Sequence, residues 1–146
     1  MTISDEIFDT YLSVSQNASR KFRVHFGKCN LTFPQALVIN ALLEESPVPI
    51  SLLAEKTGSA NSTISGIVDR LEKLGMVRRE RSREDRRVIY VGLTEECRVH
   101  YENRDSNVRE FFAQLMSELD DAEKESILRG LRKLDGALCA NEEEES

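Results

Sequence analysis

Apolar positions recur every three to four residues along the first part of the chain, which is the period of an amphipathic helix. They form one stripe from about Ser4 to Phe26, and residues 27–30 interrupt it. A second helix is predicted to begin at a capping box made by Thr32 and Gln35 and to end near Glu45. Apolar residues cover most of its circumference, so we expect it to be buried on more than one side.

Two short helical patterns follow, separated by a turn of small residues. The first lies around 52–54 and ends before Gly58, which suits the left-handed position after a helix. The second runs from about Asn61 to Leu74, with apolar residues along one side and small polar residues along the other. Two helices joined by so short a turn predict a helix-turn-helix.

After Gly75 the period of the pattern changes from 3.6 to 2, which indicates strands. Met76–Arg81 and Arg87–Leu93 are the candidate strands, and residues 82–86 form a charged tip between them. A hairpin directly after a helix-turn-helix is the winged variant of that motif. The predicted fold class is therefore mainly α with a small β-hairpin wing.

The C-terminal part is predicted to be helical again. Thr94 is the expected cap of a helix of about 24 residues, Asp120 and Glu123 form a capping box for a last helix, and residues 141–146 form an acidic tail. We expect one domain over residues 1–146. Its winged helix-turn-helix lobe covers about 32–93, and its helical dimerisation region covers about 4–30 and 94–140. A dimer is expected because the apolar stripes of both terminal helices exceed what so small a lobe can cover.

Composition agrees with one globular domain. The chain has 146 residues, 40% of them hydrophobic and 32% charged, and no apolar run reaches the roughly 18 residues that a membrane span requires. Asp5 and Glu6 lie where a signal peptide would need a basic and then an apolar segment. The three cysteines are an odd number at wide spacings, which favours reduced thiols. We therefore expect a soluble cytoplasmic protein with no membrane partner.

Charge is distributed unevenly along the chain. The net charge is −6, but the segment Ser51–Leu93 holds nine Lys or Arg and six Asp or Glu, a local net of +3, which leaves −9 for the rest. A basic middle between acidic ends is typical of a chain that meets a polyanion with one region. The alternative is that these charged residues belong to a solvated surface and cluster by chance.

Candidate DNA contacts lie at the N-terminal end of the second short helix. The amino end of a recognition helix enters the major groove, where small polar side chains permit close approach. Arg70, two turns further along, is a candidate phosphate contact. Ordinary capping and surface polarity is the alternative explanation for the four polar residues concerned, which are Asn61, Ser62, Thr63 and Ser65.

The hairpin tip is a second candidate contact. Residues 76–87 include six arginines and three acids and no lysine. The weakly hydrated guanidinium group enters a narrow minor groove at less desolvation cost than an ammonium group. The alternative, a tip made soluble by charge, does not explain the exclusive use of arginine. The candidate residues are Arg81, Arg83, Arg86 and Arg87, with Asp85 expected to orient an arginine.

The run from Ile50 to Thr94 resembles the multiple-antibiotic-resistance regulator (MarR) family of winged-helix repressors. The segment VDRLEKLG, followed directly by MVRRERSREDRRVIYVGLT, carries the resemblance. The resemblance implies that Arg87 enters the minor groove with Asp85 as its partner, that Thr63 and Ser65 face the major groove, and that Arg70 meets the backbone. It also implies a homodimer with interlocked first and last helices.

A small-molecule or redox-sensing site between the dimer region and the DNA-binding lobe is the further implication of the family. Its position is not fixed by the sequence, and the candidate effector contacts are Tyr11, Phe26 and Phe33. The peroxide-sensing branch carries a reactive cysteine in the first helix, whereas Cys29 lies beyond that helix. The operator, the effector and the choice between repressor and activator stay open.

Other function classes are disfavoured. The two histidines, His25 and His100, have no nucleophile in a recognisable arrangement, and no glycine-rich phosphate loop is present, so no enzyme is expected. Neither a cofactor nor a metal site is expected. The sequence predicts a sequence-specific regulator that binds a pseudo-palindromic operator in double-stranded DNA as a homodimer. We expect a repressor that is released by a small-molecule or redox signal. A winged-helix module that binds an acidic protein is the rival.

Overall fold

The computed structural model describes the backbone of residues 1–102 and 106–145, and the side chains of these ranges as far as residue 140. The chain forms two compact units, residues 1–108 and 109–146. Its described elements are α1 (Ile3–Gly27), α2 (Phe33–Glu44), β1 (Val48–Pro49), α3 (Ile50–Thr57), α4 (Asn61–Lys73), β2 (Val77–Arg81), β3 (Ile89–Leu93), α5 (Glu95–Tyr101), α6 (Val108–Leu115) and α7 (Asp121–Glu145).

Helix α2 forms the centre of the first unit. Thr32 caps it, with the Gln35 amide donating to the Thr32 hydroxyl at 3.3 Å and the Thr32 amide donating to the Gln35 side chain at 3.1 Å, which confirms the predicted capping box. It packs against α1, α3, α4 and β3. Its buried residues are Ala36, Val38, Ile39 and Leu42, so the prediction of burial on more than one side is confirmed.

The helix-turn-helix is formed by α3 and α4. Gly58 follows α3 at φ 66°, in the left-handed region that favours glycine, and residues 58–60 make the turn. Helix α4 buries one face against the unit through Ile64, Val68 and Leu71. The two short helices and their turn agree with the prediction.

Three strands form the wing and its support, in the antiparallel order β1-β3-β2. The predicted hairpin is confirmed with slightly shorter strands. The sequence pattern did not reveal β1, which is two residues long and ends in Pro49. Gly92 leaves room for the chain beside it, since a Cβ at that position would lie 3.3 Å from Ser46 Oγ.

The long helix predicted from Thr94 was wrong. Thr94 does cap a helix, but α5 ends at Tyr101 and α6 begins at Val108. Hydrogen bonds to distant parts of the chain replace helical ones at this junction. The Asn40 side chain accepts a hydrogen bond from the Val108 amide at 2.9 Å and donates one to the Ser106 carbonyl at 2.8 Å. Tertiary contacts therefore hold the segment in which α6 begins.

The second unit is helical. Asp120 and Glu123 form the predicted capping box, with their amide-to-carboxylate hydrogen bonds at 3.1 and 2.8 Å. Helix α7 continues to Glu145, so most of the segment predicted as a tail is helical, although its side chains lie outside the described residues. In the described ranges no helix is both long and apolar enough to span a membrane.

Candidate nucleic-acid interface

The N-terminal end of α4 is open. The cap residue is Ala60, so Asn61 lies in the first turn, and no side chain among the described residues caps this end. The first turn holds no acid, and Asn61, Ser62 and Thr63 are exposed. The unpaired amides and the positive end of the helix dipole therefore face outward, which favours a phosphate or another anion.

The two other predicted residues of α4 differ in exposure. Arg70 is exposed, and it has no hydrogen-bond or ion-pair partner within the described part of the chain. Ser65 is only half-buried, and its carbonyl accepts a hydrogen bond from Arg79 at 3.2 Å. At Gly66 an added Cβ would meet nothing within 4 Å, so no part of the described chain requires a glycine there.

Arg79 connects the wing to α4. Its guanidinium group contacts the carboxylates of Asp69 and Glu72 through Nη1, and its backbone amide donates to Glu72 Oε2 at 3.0 Å. Its side chain is 23% exposed. Sequence reasoning counted this residue as part of the basic tip. The spacing of Asp69 and Glu72 places two carboxylates on one face of α4, but the sequence does not show which arginine lies beside them.

The wing tip is a hydrogen-bonded turn. The Ser82 amide donates to the Val88 carbonyl at 2.9 Å, and the Val88 amide donates to the Asp85 carbonyl at 3.0 Å. The Asp85 amide donates to Ser82 Oγ at 3.2 Å. These bonds fix the backbone on both sides of the Asp85 side chain.

The Asp85 carboxylate holds Arg87. Arg87 Nε donates to Oδ1 and Nη2 donates to Oδ2, both at 3.1 Å, and the Arg87 amide also donates to Oδ1. These hydrogen bonds hold the pKa of Asp85 below its ordinary value of 3.8. The Arg87 side chain is nevertheless 90% exposed. The pairing expected from the sequence is present, and the guanidinium group is held in place while it faces solvent.

The other predicted arginines of the tip have two different surroundings. Arg81 donates through Nη1 to the Arg86 carbonyl, so part of its hydrogen-bonding capacity is used within the wing. Arg83 and the Arg86 side chain are exposed, and across the described ranges neither has a hydrogen-bond or ion-pair partner. The tip therefore presents several cations on one turn.

The three effector candidates do not form an evident binding site. Tyr11 is half exposed on α1, whereas Phe26 is fully buried and offers no surface to a ligand. Phe33 stacks on Phe22 with ring centroids 4.4 Å apart. The effector site stays a prediction.

The cysteines and histidines show no metal arrangement in the described residues, where no group of three or more His, Cys, Asp or Glu is placed to hold an ion. Burial raises the pKa of the Cys97 thiol to about 11, although the nearby Arg98 opposes the shift. Cys97 therefore stays a thiol at neutral pH. Cys29 is half-buried between α1 and α2.

Comparison with known proteins agrees with the winged helix. The sequence profile of the MarR family matches residues 30–88. A regulator of Bacillus subtilis strain 168, named as the uncharacterised HTH-type transcriptional regulator YfiV, is 32% identical over 133 residues, which cover 91% of this chain and 83% of YfiV. The chain belongs to the MarR family of transcriptional regulators.

Solved structures share the fold of this MarR-family chain. The transcriptional regulator BldR of Sulfolobus solfataricus is 29% identical, with a TM-score of 0.70 and coverage of 94% of this chain and 99% of BldR. The S. aureus MepR–DNA complex has a TM-score of 0.79 at 20% identity and covers 94% of this chain and 98% of MepR. At that identity the MepR comparison supports the fold alone.

Proposed function

We propose that this MarR-family chain is a transcriptional regulator that binds a pseudo-palindromic operator in double-stranded DNA as a homodimer. Helix α4 enters the major groove by its N-terminal end, and the wing places Arg87 in the adjacent minor groove. The protein acts by binding and not by catalysis. Because it acts on DNA, we place it in the cytoplasm.

The observation that carries the proposal is the Arg87 side chain, which is held by Asp85 at two atoms and is still 90% exposed. An exposed arginine ordinarily loses rotamer freedom when it is bound. An exposed arginine that a carboxylate already holds has lost part of this rotamer freedom before it binds a planar or anionic target. The minor groove of A·T-rich DNA, with its enhanced negative potential, is such a target.

Helix α4 supports the same proposal. Its first turn is uncapped, free of acids and exposed at Asn61, Ser62 and Thr63. MepR, whose fold this chain shares, was solved bound to DNA. We propose base contacts for Thr63 and Ser65, with only part of Ser65 accessible, and phosphate contacts for Arg70, Arg83 and Arg86.

The homodimer accounts for the apolar surface of the long helices. Several apolar residues of α1 and of α7 are about half exposed in the single chain. Large exposed apolar faces of this kind mark an interface. A two-fold dimer presents two recognition helices about one helical turn of DNA apart and therefore selects a pseudo-palindrome.

Release from the operator by a small molecule or by oxidation is the part of the proposal that rests on family resemblance alone. Repression in the absence of the signal rests on the same resemblance. Tyr11 and Phe33 stay candidates for the effector contact.

Selection of random duplexes on the purified protein tests the proposal. We expect a pseudo-palindrome with A·T-rich flanks. Arg87→Ala should weaken binding to the selected operator by about fivefold to 150-fold, since a good contact to DNA contributes about 1–3 kcal/mol. Arg78→Ala, which removes an exposed arginine of β2 away from the tip, is the matched control and should have a smaller effect.

Two results would contradict the proposal. A folded Arg87→Ala protein that binds the operator as tightly as the parent would remove the role of the wing. A parent protein that selects no duplex would favour the rival function, a winged-helix module that binds an acidic protein.

A further inference from the structure

A chain of hydrogen bonds connects the two places where the DNA-binding lobe joins the flanking helices. The Tyr101 hydroxyl donates to the Cys29 carbonyl at 3.3 Å, and Ser106 Oγ donates to the Tyr101 carbonyl at 3.1 Å. Asn40 Nδ2 donates to the Ser106 carbonyl at 2.8 Å, and the Val108 amide donates to Asn40 Oδ1 at 2.9 Å. We call this set of five residues the Asn40 network.

Two of the five residues of the Asn40 network are buried, and the other three, Asn40, Cys29 and Val108, are half-buried. Ser106 is 1% exposed and Tyr101 is buried. Burial, followed by the proximity of Cys97 and Cys29, raises the pKa of Tyr101, so its hydroxyl keeps its proton and stays a donor at neutral pH. The hydrogen bond between Ser106 and Tyr101 is buried and the others are partly buried, and breaking such bonds has a cost because a lost partner leaves a polar group shielded from water.

Asn40 occupies the central position in the network. Its amide group uses both of its donors, on the Ala36 and Ser106 carbonyls, and its oxygen accepts from Val108. Asn40 belongs to α2, which packs directly on the helix-turn-helix. A single side chain of the lobe therefore fixes a segment that lies 66 and 68 positions further along the chain.

The two ends of the network are the two junctions of the lobe. Cys29 lies between α1 and α2, and Val108 is the first residue of α6. In the proposed homodimer the helices beyond these junctions hold the two protomers together. The positions of the junctions on the lobe then determine how far apart the two recognition helices lie.

We propose that Asn40 is a positioning residue that sets which separation of operator half-sites the dimer accepts. This inference rests on the proposed function. One base pair changes the separation by about 3.4 Å along the DNA axis, whereas a hydrogen bond weakens steeply within a few tenths of an ångström beyond about 3.2 Å. The two Asn40 hydrogen bonds at the α6 junction, at 2.8 and 2.9 Å, lie within that range, so a dimer in which they are intact should discriminate between separations that differ by one base pair.

The test uses three versions of the selected operator, with the parent spacing and with one central base pair removed or added. The parent protein should bind the parent spacing most tightly. Asn40→Leu keeps the approximate size of the side chain and removes its hydrogen bonds. It should reduce the discrimination between spacings by about twofold to tenfold, which is the factor that one or more net hydrogen bonds supply.

Two further variants separate positioning from loss of stability. Tyr101→Phe removes one hydroxyl only and should shift the discrimination in the same direction by a smaller factor. Gln35→Leu is the control, because it removes a hydrogen bond of the capping box on the same helix and none of the hydrogen bonds of the Asn40 network. It should lower stability and leave the ratio of affinities unchanged.

Hydrogen exchange of the Val108 amide gives a readout that needs no DNA. Exchange should be faster in Asn40→Leu than in the parent and unchanged in Gln35→Leu. Unchanged exchange at Val108, or a folded Asn40→Leu dimer with the same spacing discrimination as the parent, would overturn the inference and leave the proposed function standing. A parent protein that selects no duplex would overturn both.

Discussion

Arg87 and Asp85 lie two residues apart, and a turn of hydrogen bonds holds the backbone between them. This arrangement separates two tasks. Asp85 restricts the rotamers of Arg87 in the absence of DNA, and most of the Arg87 side-chain surface stays accessible for contact with DNA. The carboxylate also brings a negative charge close to the phosphates, so its net effect is a balance between ordering and repulsion.

Asp85→Ala should weaken operator binding about threefold to tenfold, because ordering a long side chain costs about 0.5–1.5 kcal/mol. Glu84→Ala removes the same charge from an exposed neighbour and is the matched control. It should leave the affinity unchanged or increase it. Fluorescence anisotropy on the selected operator measures both, and equal changes in the two variants would show that ordering of Arg87 contributes nothing.

The pH dependence of the pair has a definite sign. The pKa of Asp85 lies below its ordinary value of 3.8 because Arg87 donates hydrogen bonds to it. The interaction is therefore fully present above that ordinary value and is lost only as the pH falls through the lowered pKa. Titration of Asp85 does not change operator affinity at neutral pH.

At the scale of elements, the sequence pattern predicted the features that depend on residues close together in the chain. The capping boxes at Thr32 and at Asp120 each involve residues three apart, and both are present. The start of α6 at Val108 was not predicted, because the hydrogen bond that holds the Val108 amide comes from Asn40, 68 positions away in the chain. Strand β1 was missed for the same reason, since it exists only through its pairing with β3.

The same difference between local and long-range contacts applies to the candidate interface. The sequence predicted that Asp85 orients an arginine of the tip, because both lie in one turn, and the family resemblance implied that this arginine is Arg87. The role of Arg79 was not predicted, because its partners Asp69 and Glu72 lie on α4 and only the fold brings β2 beside them. Composition alone cannot distinguish an arginine that faces solvent from one that joins two elements.

Arg79→Ala should therefore destabilise the fold, by about 1–3 kcal/mol, because hydrogen bonds to charged groups contribute more than neutral ones and this side chain is only 23% exposed. Arg78→Ala, at the exposed neighbouring position, should change the free energy of unfolding by less than about 0.5 kcal/mol. Urea denaturation followed by circular dichroism compares the two. Equal midpoints would contradict a connecting role for Arg79.

At the scale of the whole molecule, the single chain leaves much apolar surface uncovered. On α1, Phe8 is 59% exposed, and Ile7 and Tyr11 are exposed as well. On α7, Leu131 is 54% exposed, and Leu128 is exposed nearby. Fully burying a side chain of this size contributes about 1.5–3 kcal/mol, so covering several of them in a partner supplies a large driving force for association.

We expect light scattering at micromolar concentration to give twice the protomer mass of 16.6 kDa. Leu131→Glu should shift the equilibrium towards the protomer, because an unpaired carboxylate in an apolar interface is costly to desolvate. Ser126→Glu places the same charge at an exposed polar position of α7 and should leave the dimer intact. Because a pseudo-palindrome is bound by two lobes at once, Leu131→Glu should also weaken operator binding while single half-sites are bound as before. A parent protein that scatters only as a 16.6 kDa species would contradict the dimer and, with it, two-fold recognition of the operator.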